Sequence, residues 1–284
     1  MIRSNKSIRF RTEFFIGLAV ATMVLLLSNA ALAQQPADKA KSWQIGMSIY
    51  GWFPDLAGQT AFSPGGGDSE FEVEIEDILE NLEMVLMGSF DMRKGAWGLF
   101  TDVIYMDLGD SASTSMDGSI GPNQVPASVT ADVSFDMESW IWNLTGYYRA
   151  LAKKGTTLDF LAGTRYLNVE QEVKWDITSV VDGDVPGPER NGKVSAGITN
   201  WDMIFGVRGR IGLGAKKALF VPYYLDLGFG ESDFTWQGVA GLGYAFGWGD
   251  IVAAWRYLYY DMSSDSVIDE ISFNGPEAGV AFRW

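Results

Sequence analysis

Long stretches of this 284-residue chain alternate apolar and polar side chains, residue by residue. The clearest stretch runs from residue 200 to 211, where Trp201, Met203 and Phe205 alternate with polar neighbours such as Asp202. A period of two places the apolar side chains on one face of a β-strand and the polar ones on the other. The chain is therefore predicted to be a β protein whose strands separate two environments.

The connections between these stretches are alternately long and short. The short ones are 93–95, 153–155, 214–217 and 247–250, and the long ones are roughly 54–81, 108–126 and 176–192. Tight turns at one rim and longer loops at the other are typical of transmembrane β-barrels. A bilayer admits only helices and closed barrels, because backbone polar groups find no water there. We predict an all-β, antiparallel, up-and-down transmembrane barrel of about ten strands (about 8–12 stay open) in one domain, 34–284.

Residues 1–33 carry the pattern of a secretory signal peptide. A positive segment containing Arg3 and Arg11 precedes an apolar run at 14–27, and small residues follow up to Ala33. The run is shorter than the roughly 20 residues that a permanent membrane anchor, the alternative interpretation, would need. We expect cleavage after Ala33 and delivery to the cell outer membrane.

Composition argues against several functions. The chain has no cysteine and no histidine, so it lacks a disulfide framework and the usual general base. A formal net charge of −15 is unsuited to binding nucleic acid but suits lipopolysaccharide with its bridging cations. We therefore expect no enzyme activity, no cofactor and no resident metal. A carboxylate pair such as Asp102 with Asp226 is the remaining catalytic alternative.

One predicted strand, 129–151, is far longer than the roughly 9–11 residues that a tilted crossing requires. Its apolar residues are odd-numbered early, as at Val133 and Phe135, and even-numbered later, as at Trp140 and Trp142. Because a one-residue slip moves every side chain to the opposite face, we predict a β-bulge near Glu138. The upper part of the strand is expected to project beyond the bilayer.

The polar faces of the predicted strands carry many charges of both signs. Ten strands are near the size at which side chains fill a barrel, whereas about 16–18 leave an aqueous channel. Two interpretations stay open: an ion-pair network that plugs the lumen, and a narrow charged path for small ions or solutes. The predicted lumen-lining residues are Asp91, Arg93, Asp102, Asn143, Arg149, Asp159, Arg165, Asp202, Arg208, Arg210, Asp226, Arg256, Glu277 and Arg283.

An acidic segment precedes the second transmembrane stretch. Glu70, Glu72, Glu74 and Glu76 recur with a period of two, which places all four on one face of a strand. Three interpretations stay open: a plug that offers carboxylates to the lumen arginines, a Ca²⁺ site, and a solvated outer loop.

The chain ends on apolar residues at alternate positions: Ala278, Val280, Phe282 and the terminal Trp284. Together with the alternating strands over 42–284, this ending resembles Gram-negative outer-membrane β-barrel proteins. The resemblance implies an outer-membrane location and recognition of the last strand by the barrel-assembly machinery, and it implies no ligand or catalytic residue. We expect a structural barrel or a narrow passive channel, with an adhesin or binding role for the outer loops as the alternative. The oligomeric state stays open.

Overall fold

A computed structural model describes residues 42–60, 69–73, 82–120, 125–181, 185–186, 189–262 and 268–284. The predicted signal peptide lies outside them. No helix in these ranges is long and apolar enough to cross a membrane. The described strands are β1 (Trp43–Trp52), β2 (Asp55–Thr60), β3 (Ser69–Val73), β4 (Leu82–Lys94), β5 (Trp97–Ile120), β6 (Val125–Lys153), β7 (Thr156–Val181), β8 (Val185–Pro186), β9 (Arg190–Leu213), β10 (Leu219–Gly230), β11 (Ser232–Ala245), β12 (Gly249–Met262) and β13 (Ile268–Arg283).

Ten of the described strands form a closed antiparallel barrel in the order β1, β4, β5, β6, β7, β9, β10, β11, β12 and β13. The barrel closes where β1 pairs with β13, from Gly46 opposite Arg283 to Trp52 opposite Glu277. Closure removes the free sheet edges that a bilayer does not tolerate. The prediction of an antiparallel barrel of about ten strands is confirmed.

Tight turns join the strands at one rim, which we call the lower rim. The β6–β7 turn contains Lys154 and Gly155, whose φ angles are 48° and 79°. Two consecutive left-handed residues make the turn type whose twist matches that of the flanking strands. The opposite, upper rim carries the longer connections, and there β2 extends the pairing of β13 while β3 pairs with β2.

The outer surface is an apolar band bounded by aromatic side chains. Near the lower rim, the rings of Trp97 and Tyr148 lie 5.0 Å apart, centroid to centroid. Higher up, Tyr105 and Trp140 lie 4.5 Å apart. Eight residues of β5 separate Trp97 from Tyr105, which is about 26 Å along the strand at roughly 3.3 Å per residue. At the usual strand tilt of about 35–45°, this length corresponds to a height of about 20 Å, which is comparable with the ~25 Å apolar band of outer-membrane barrels.

Four strands rise well above this band as a sheet that we call the extension: residues 109–120 of β5, 125–136 of β6, 170–181 of β7 and 190–199 of β9. On its outer face, Lys174 forms ion pairs with Asp136 (3.1 Å) and Glu172 (2.8 Å). Its inner face continues the lumen and carries apolar side chains such as Val133 and Phe135. The extension is about 12 residues, or roughly 40 Å, long.

The predicted β-bulge near Glu138 is wrong. Glu138 pairs with Asp107 on one side and Glu170 on the other, in a register that continues without interruption through this level. The apolar residues change parity because the solvent outside the strand changes from lipid to water. The register shift of β6 lies lower, between Arg149 and Leu151.

Candidate functional site

The predicted lumen-lining residues lie on the inner face of the barrel, whose side chains form three layers. Lowest is a vestibule open at the lower rim. Above it lies the charged layer, which we define as Tyr50, Asp102, Asn143, Arg165, Asp226, Gln237, Arg256 and Glu277. Uppermost is the apolar layer, built from inward-facing residues of the upper strand halves.

Arg165 of β7 is one centre of the charged layer, and its side chain is fully buried. Its guanidinium forms an ion pair with Asp226 of β10, which is also fully buried. It also donates to Asn143 Oδ1 (2.7 Å) and Thr235 Oγ1 (3.1 Å). These partners come from three strands, β6, β10 and β11, so Arg165 of β7 links four strands of the barrel through the lumen.

Arg256 of β12 is the second centre. Its Nη2 donates to Asp102 Oδ2 (2.7 Å) on the opposite wall and to Gln237 Oε1 (3.0 Å). Its Nη1 lies 3.5 Å from Glu277 Oε2 and donates to the Tyr50 hydroxyl at 3.1 Å. Both Arg256 and Asp102 are buried. Such direct pairing compensates charges that would otherwise be costly to remove from water.

Asn143 joins the two centres, because its amide nitrogen lies 3.4 Å from Asp102 while its oxygen accepts from Arg165. The carboxylates of Asp102 and Asp226, considered as a catalytic pair, are thus each held by a different arginine. Asp202 lies slightly higher and accepts hydrogen bonds at 2.9 Å from the backbone nitrogen and hydroxyl of Ser232. Its role is to fix the β10–β11 connection.

Arg208 forms the roof of the vestibule. Its guanidinium carbon lies 4.2 Å from the ring centroids of both Phe100 and Tyr147, one from β5 and one from β6. It forms an ion pair with Asp91, and its Nε lies 3.6 Å from Asp159 Oδ2. The two aromatic faces hold the cation by electrostatic attraction and restrict its position.

The vestibule walls contain four further arginines. Arg149 donates two parallel hydrogen bonds to Asp159, at 2.6 and 2.7 Å. Arg210 and Arg283 share Asp250, the first at 3.5 Å. Arg93 donates instead to the side-chain oxygen of Gln44 and to a backbone carbonyl in the adjacent turn.

The apolar layer was not anticipated from the sequence. Its residues Leu167, Leu258 and Tyr260 are completely inaccessible to solvent. The remaining residues of the layer are Trp52, Leu56, Met87, Ile104, Met106, Leu108, Met137, Ile141, Val169, Met262, Ile271 and Phe273. A signal was present, because segments such as 103–106 are apolar at both odd and even positions, which indicates burial on both faces.

Two cavities follow from this layering. The vestibule has a volume of about 750 Å³ and opens at the lower rim. A smaller cavity of about 200 Å³ lies deeper and is lined by Tyr50, Asp102, Arg256 and Glu277. Both lie between the lower rim and the apolar layer.

The described part of the acidic segment lies at the upper rim. Glu70 and Glu72 belong to β3, where their backbones pair with Gln59 and Ala57 of β2. Glu74 and Glu76 lie outside the described residues, so the plug and Ca²⁺ interpretations stay predictions. Within the described ranges, no group of three or more acidic side chains could hold a metal ion.

No protein-family model and no curated protein matches the chain. Among solved structures, it is similar to the translocator domain of autotransporter NalP from Neisseria meningitidis, with 11% identity, a TM-score of 0.34 and coverage of 96% of this chain and 98% of that one. It is also similar to Ail, the attachment invasion locus protein of Yersinia pestis, with 8% identity, a TM-score of 0.31 and coverage of 86% and 99%.

A third similar structure is the P. putida toluene transporter TodX, with 8% identity, a TM-score of 0.25 and coverage of 90% and 94%. At these identities the three likenesses say nothing about what this chain binds or transports. Its architecture, a closed antiparallel barrel with an apolar outer band, is that of an outer-membrane β-barrel protein.

Proposed function

We propose that the chain is a structural outer-membrane β-barrel whose lumen is sealed, and that it does not act as an open pore. The observation that carries the proposal is the apolar layer, where Leu167, Leu258 and Tyr260 have no solvent-accessible surface. Water is poorly held in an apolar constriction, so such a layer blocks ions by dewetting. A continuous aqueous path through the barrel would have to displace it.

The charged layer supports the same function. An ion that entered from the vestibule would meet Arg256 and Asp102, which are bonded to each other across the lumen at 2.7 Å. Leaving one charge of such a buried pair without its partner typically costs about 3–5 kcal/mol. Of the two interpretations of the lumen charges, the geometry supports an internal network over a conducting path.

The proposed biogenesis rests on the signal-peptide pattern of residues 1–33 and on the last strand, β13. We place the lower rim in the periplasm, because short turns face that side in bacterial barrels. Export would follow cleavage after Ala33, and the last strand with Trp284 would engage the barrel-assembly machinery. The acidic upper surface would contact lipopolysaccharide through bridging divalent cations. N-terminal sequencing of the membrane-inserted protein tests the cleavage site directly.

Planar-bilayer recording of the refolded mature chain tests the seal. We expect silent bilayers under applied voltage, with an open porin inserted in the same setup as a positive control. A Leu167→Ala/Leu258→Ala variant removes side chains from the apolar layer and is expected to leak, whereas Leu242→Ala on the outer face is expected to stay silent. Reproducible single-channel steps from the wild-type chain would contradict the proposal.

A second candidate function, surface binding, is favoured by the extension. Its exposed apolar residues include Met116 (73% exposed) and Val194 (59%), and exposed apolar patches commonly mark interaction sites. Removing 111–134 and joining Asp110 to Phe135 through Asn-Gly would shorten the β5–β6 hairpin where these two residues pair. A binding role predicts lost cell aggregation or adhesion, with the barrel still folded by heat-modifiable gel migration.

A further inference from the structure

The vestibule carries an excess of positive charge, although the protein as a whole is acidic. Its lining contains five arginines and three aspartates, whereas the whole chain has a formal net charge of −15. The charged lining residues are Asp91, Arg93, Arg149, Asp159, Arg208, Arg210, Asp250 and Arg283.

The three aspartates are already paired with arginines of the vestibule. Both carboxylate oxygens of Asp159 accept from Arg149, and Asp250 serves two arginines at once. Among the described residues, Arg93 has no carboxylate within ion-pair distance, although its side chain is buried. Guanidinium groups that are partly removed from water without a counter-charge are unfavourable, and an anion entering the vestibule would relieve this cost.

The arginines are also positioned before any ligand arrives. Phe100 and Tyr147 hold Arg208 between their rings, and Arg210 lies over Phe220 at 5.2 Å. A preordered guanidinium loses less side-chain entropy on binding, and its planar fork matches the oxygens of a phosphate group. The cavity volume of about 750 Å³ lies within the range of small-molecule sites.

From these observations we infer that the vestibule binds a small solute that carries a phosphate group. The site is blind-ended, because the charged and apolar layers close it from above. It would therefore hold its ligand from the lower rim without passing it through the barrel. The same chemistry would accept a free phosphate compound or the phosphate of a lipid headgroup.

The test uses the full mature chain refolded in dodecyl maltoside at low ionic strength, with inorganic pyrophosphate titrated by calorimetry. We expect saturable binding with one site per chain, which weakens as salt is raised. The Arg93→Gln/Arg210→Gln variant is expected to bind at least ten-fold more weakly. It leaves Asp250 paired with Arg283, so it removes donors without stranding a carboxylate.

Arg190→Gln is the matched control, because Arg190 is exposed at the far end of the molecule on β9. It is expected to bind as the wild type does. If the double variant does not fold, Arg283→Gln replaces it, because the Arg283 side chain is half-exposed at the lower rim and its loss should disturb folding less. This variant should also weaken pyrophosphate binding. Competition by short-chain phosphatidylglycerol, but not phosphatidylcholine, would identify a lipid headgroup as the source, and absent competition would favour a free solute.

Two results would overturn the inference. The first is no saturable heat of binding for pyrophosphate at millimolar concentrations. The second is equal weakening by Arg190→Gln and the vestibule variants, which would indicate non-specific attraction to any cation. Binding is measured without any membrane conductance, so the two proposals fail separately. Absent pyrophosphate binding would not contradict the sealed barrel. A conducting barrel would not contradict the anion site.

Discussion

The outward face of β6 is apolar in the lower half of the strand and polar in the upper half. At the level of the bilayer, Trp140 and Trp142 face outward while Asn143 faces the lumen. In the extension, Asp136 forms an ion pair on the outer face while Val133 lies on the inner face. The strand has one continuous register through both regions. The alternation of apolar and polar residues therefore indicates the environment of each strand face. Where the apolar residues change from even to odd positions without a register shift, the strand leaves the membrane.

Ion pairs in the two regions differ as well. Arg165 and Asp226 in the barrel have no exposed side-chain surface, whereas about half of the side-chain surface of Lys174 and Asp136 in the extension is exposed. Coulomb attraction in water is weak and screened, but breaking a pair inside the barrel leaves a charge without solvent. The same chemical contact should contribute very differently to stability in the two places.

The largest expected effect comes from breaking the buried pair. Arg165→Met strands Asp226 and should lower the free energy of unfolding, measured by urea titration in lipid, by about 3–5 kcal/mol. Lys174→Met in the extension should cost no more than about 1 kcal/mol, because its pairs are exposed. Both variants are scored against wild type in the same vesicles.

The double variant Arg165→Met/Asp226→Leu completes this comparison. Replacing a whole buried pair with apolar residues is often close to neutral, so much of the lost stability should return. If Lys174→Met and Arg165→Met destabilise the protein equally, the charged layer is hydrated and the contrast between the two regions is wrong.

The transmembrane part of the fold was readable from the sequence because lipid and lumen impose opposite demands on successive residues. The outward positions of β9, such as Trp201 and Met203, and the tight connection at 153–155 followed from the two-residue period and the turn residues alone. The bulge near Glu138 was predicted wrongly because the pattern was attributed to backbone register. A change of solvent produces the same one-residue shift in the positions of the apolar side chains.

The side chains that fill the lumen could be predicted from the sequence only in part. Period two identified Arg256 and Asp102 as inward-facing, but their pairing depends on the stagger of the strands and the distance across the barrel. The vestibule residues Asp250 and Phe220 were missed, since a single acid or aromatic near a turn has no distinctive local pattern. The apolar layer was overlooked because inward positions were expected to be polar throughout.

A new charge on the outer face should have a smaller effect than breaking the buried pair, and it tests the membrane boundary directly. Phe90 faces outward and pairs with Thr101, midway between the two aromatic levels on β5. Phe90→Arg should lower the free energy of unfolding by about 2–4 kcal/mol, because arginine has this effect on lipid-facing strands at the bilayer midplane. Ser111→Arg, exposed on the extension, should stay within about 0.5 kcal/mol of wild type. If Phe90→Arg and Ser111→Arg lower the free energy of unfolding equally, the extension also contacts lipid.

The smallest expected effect is a pH dependence confined to the extension. Hydrogen bonds from Lys174 and Lys193 lower the pKa of Glu172. The lysine Nζ atoms lie 2.8 and 2.9 Å from its carboxylate oxygens. A lowered pKa in the folded state means that this stabilisation is complete above the ordinary glutamate value of about 4.3 and is lost as pH falls through the folded value.

The hydrogen bond to Glu172 likewise raises the pKa of Lys174, so that contribution is complete below about 10.4 and is lost at higher pH. Carbon-detected NMR titration of the Glu172 carboxyl should give a midpoint below that of an unpaired glutamate, and added salt should raise it. The Lys174→Gln/Lys193→Gln variant should restore an ordinary midpoint. An unchanged midpoint in that variant would show that these surface contacts are not populated in water, and the polar outer face of the extension would then be held by solvation alone.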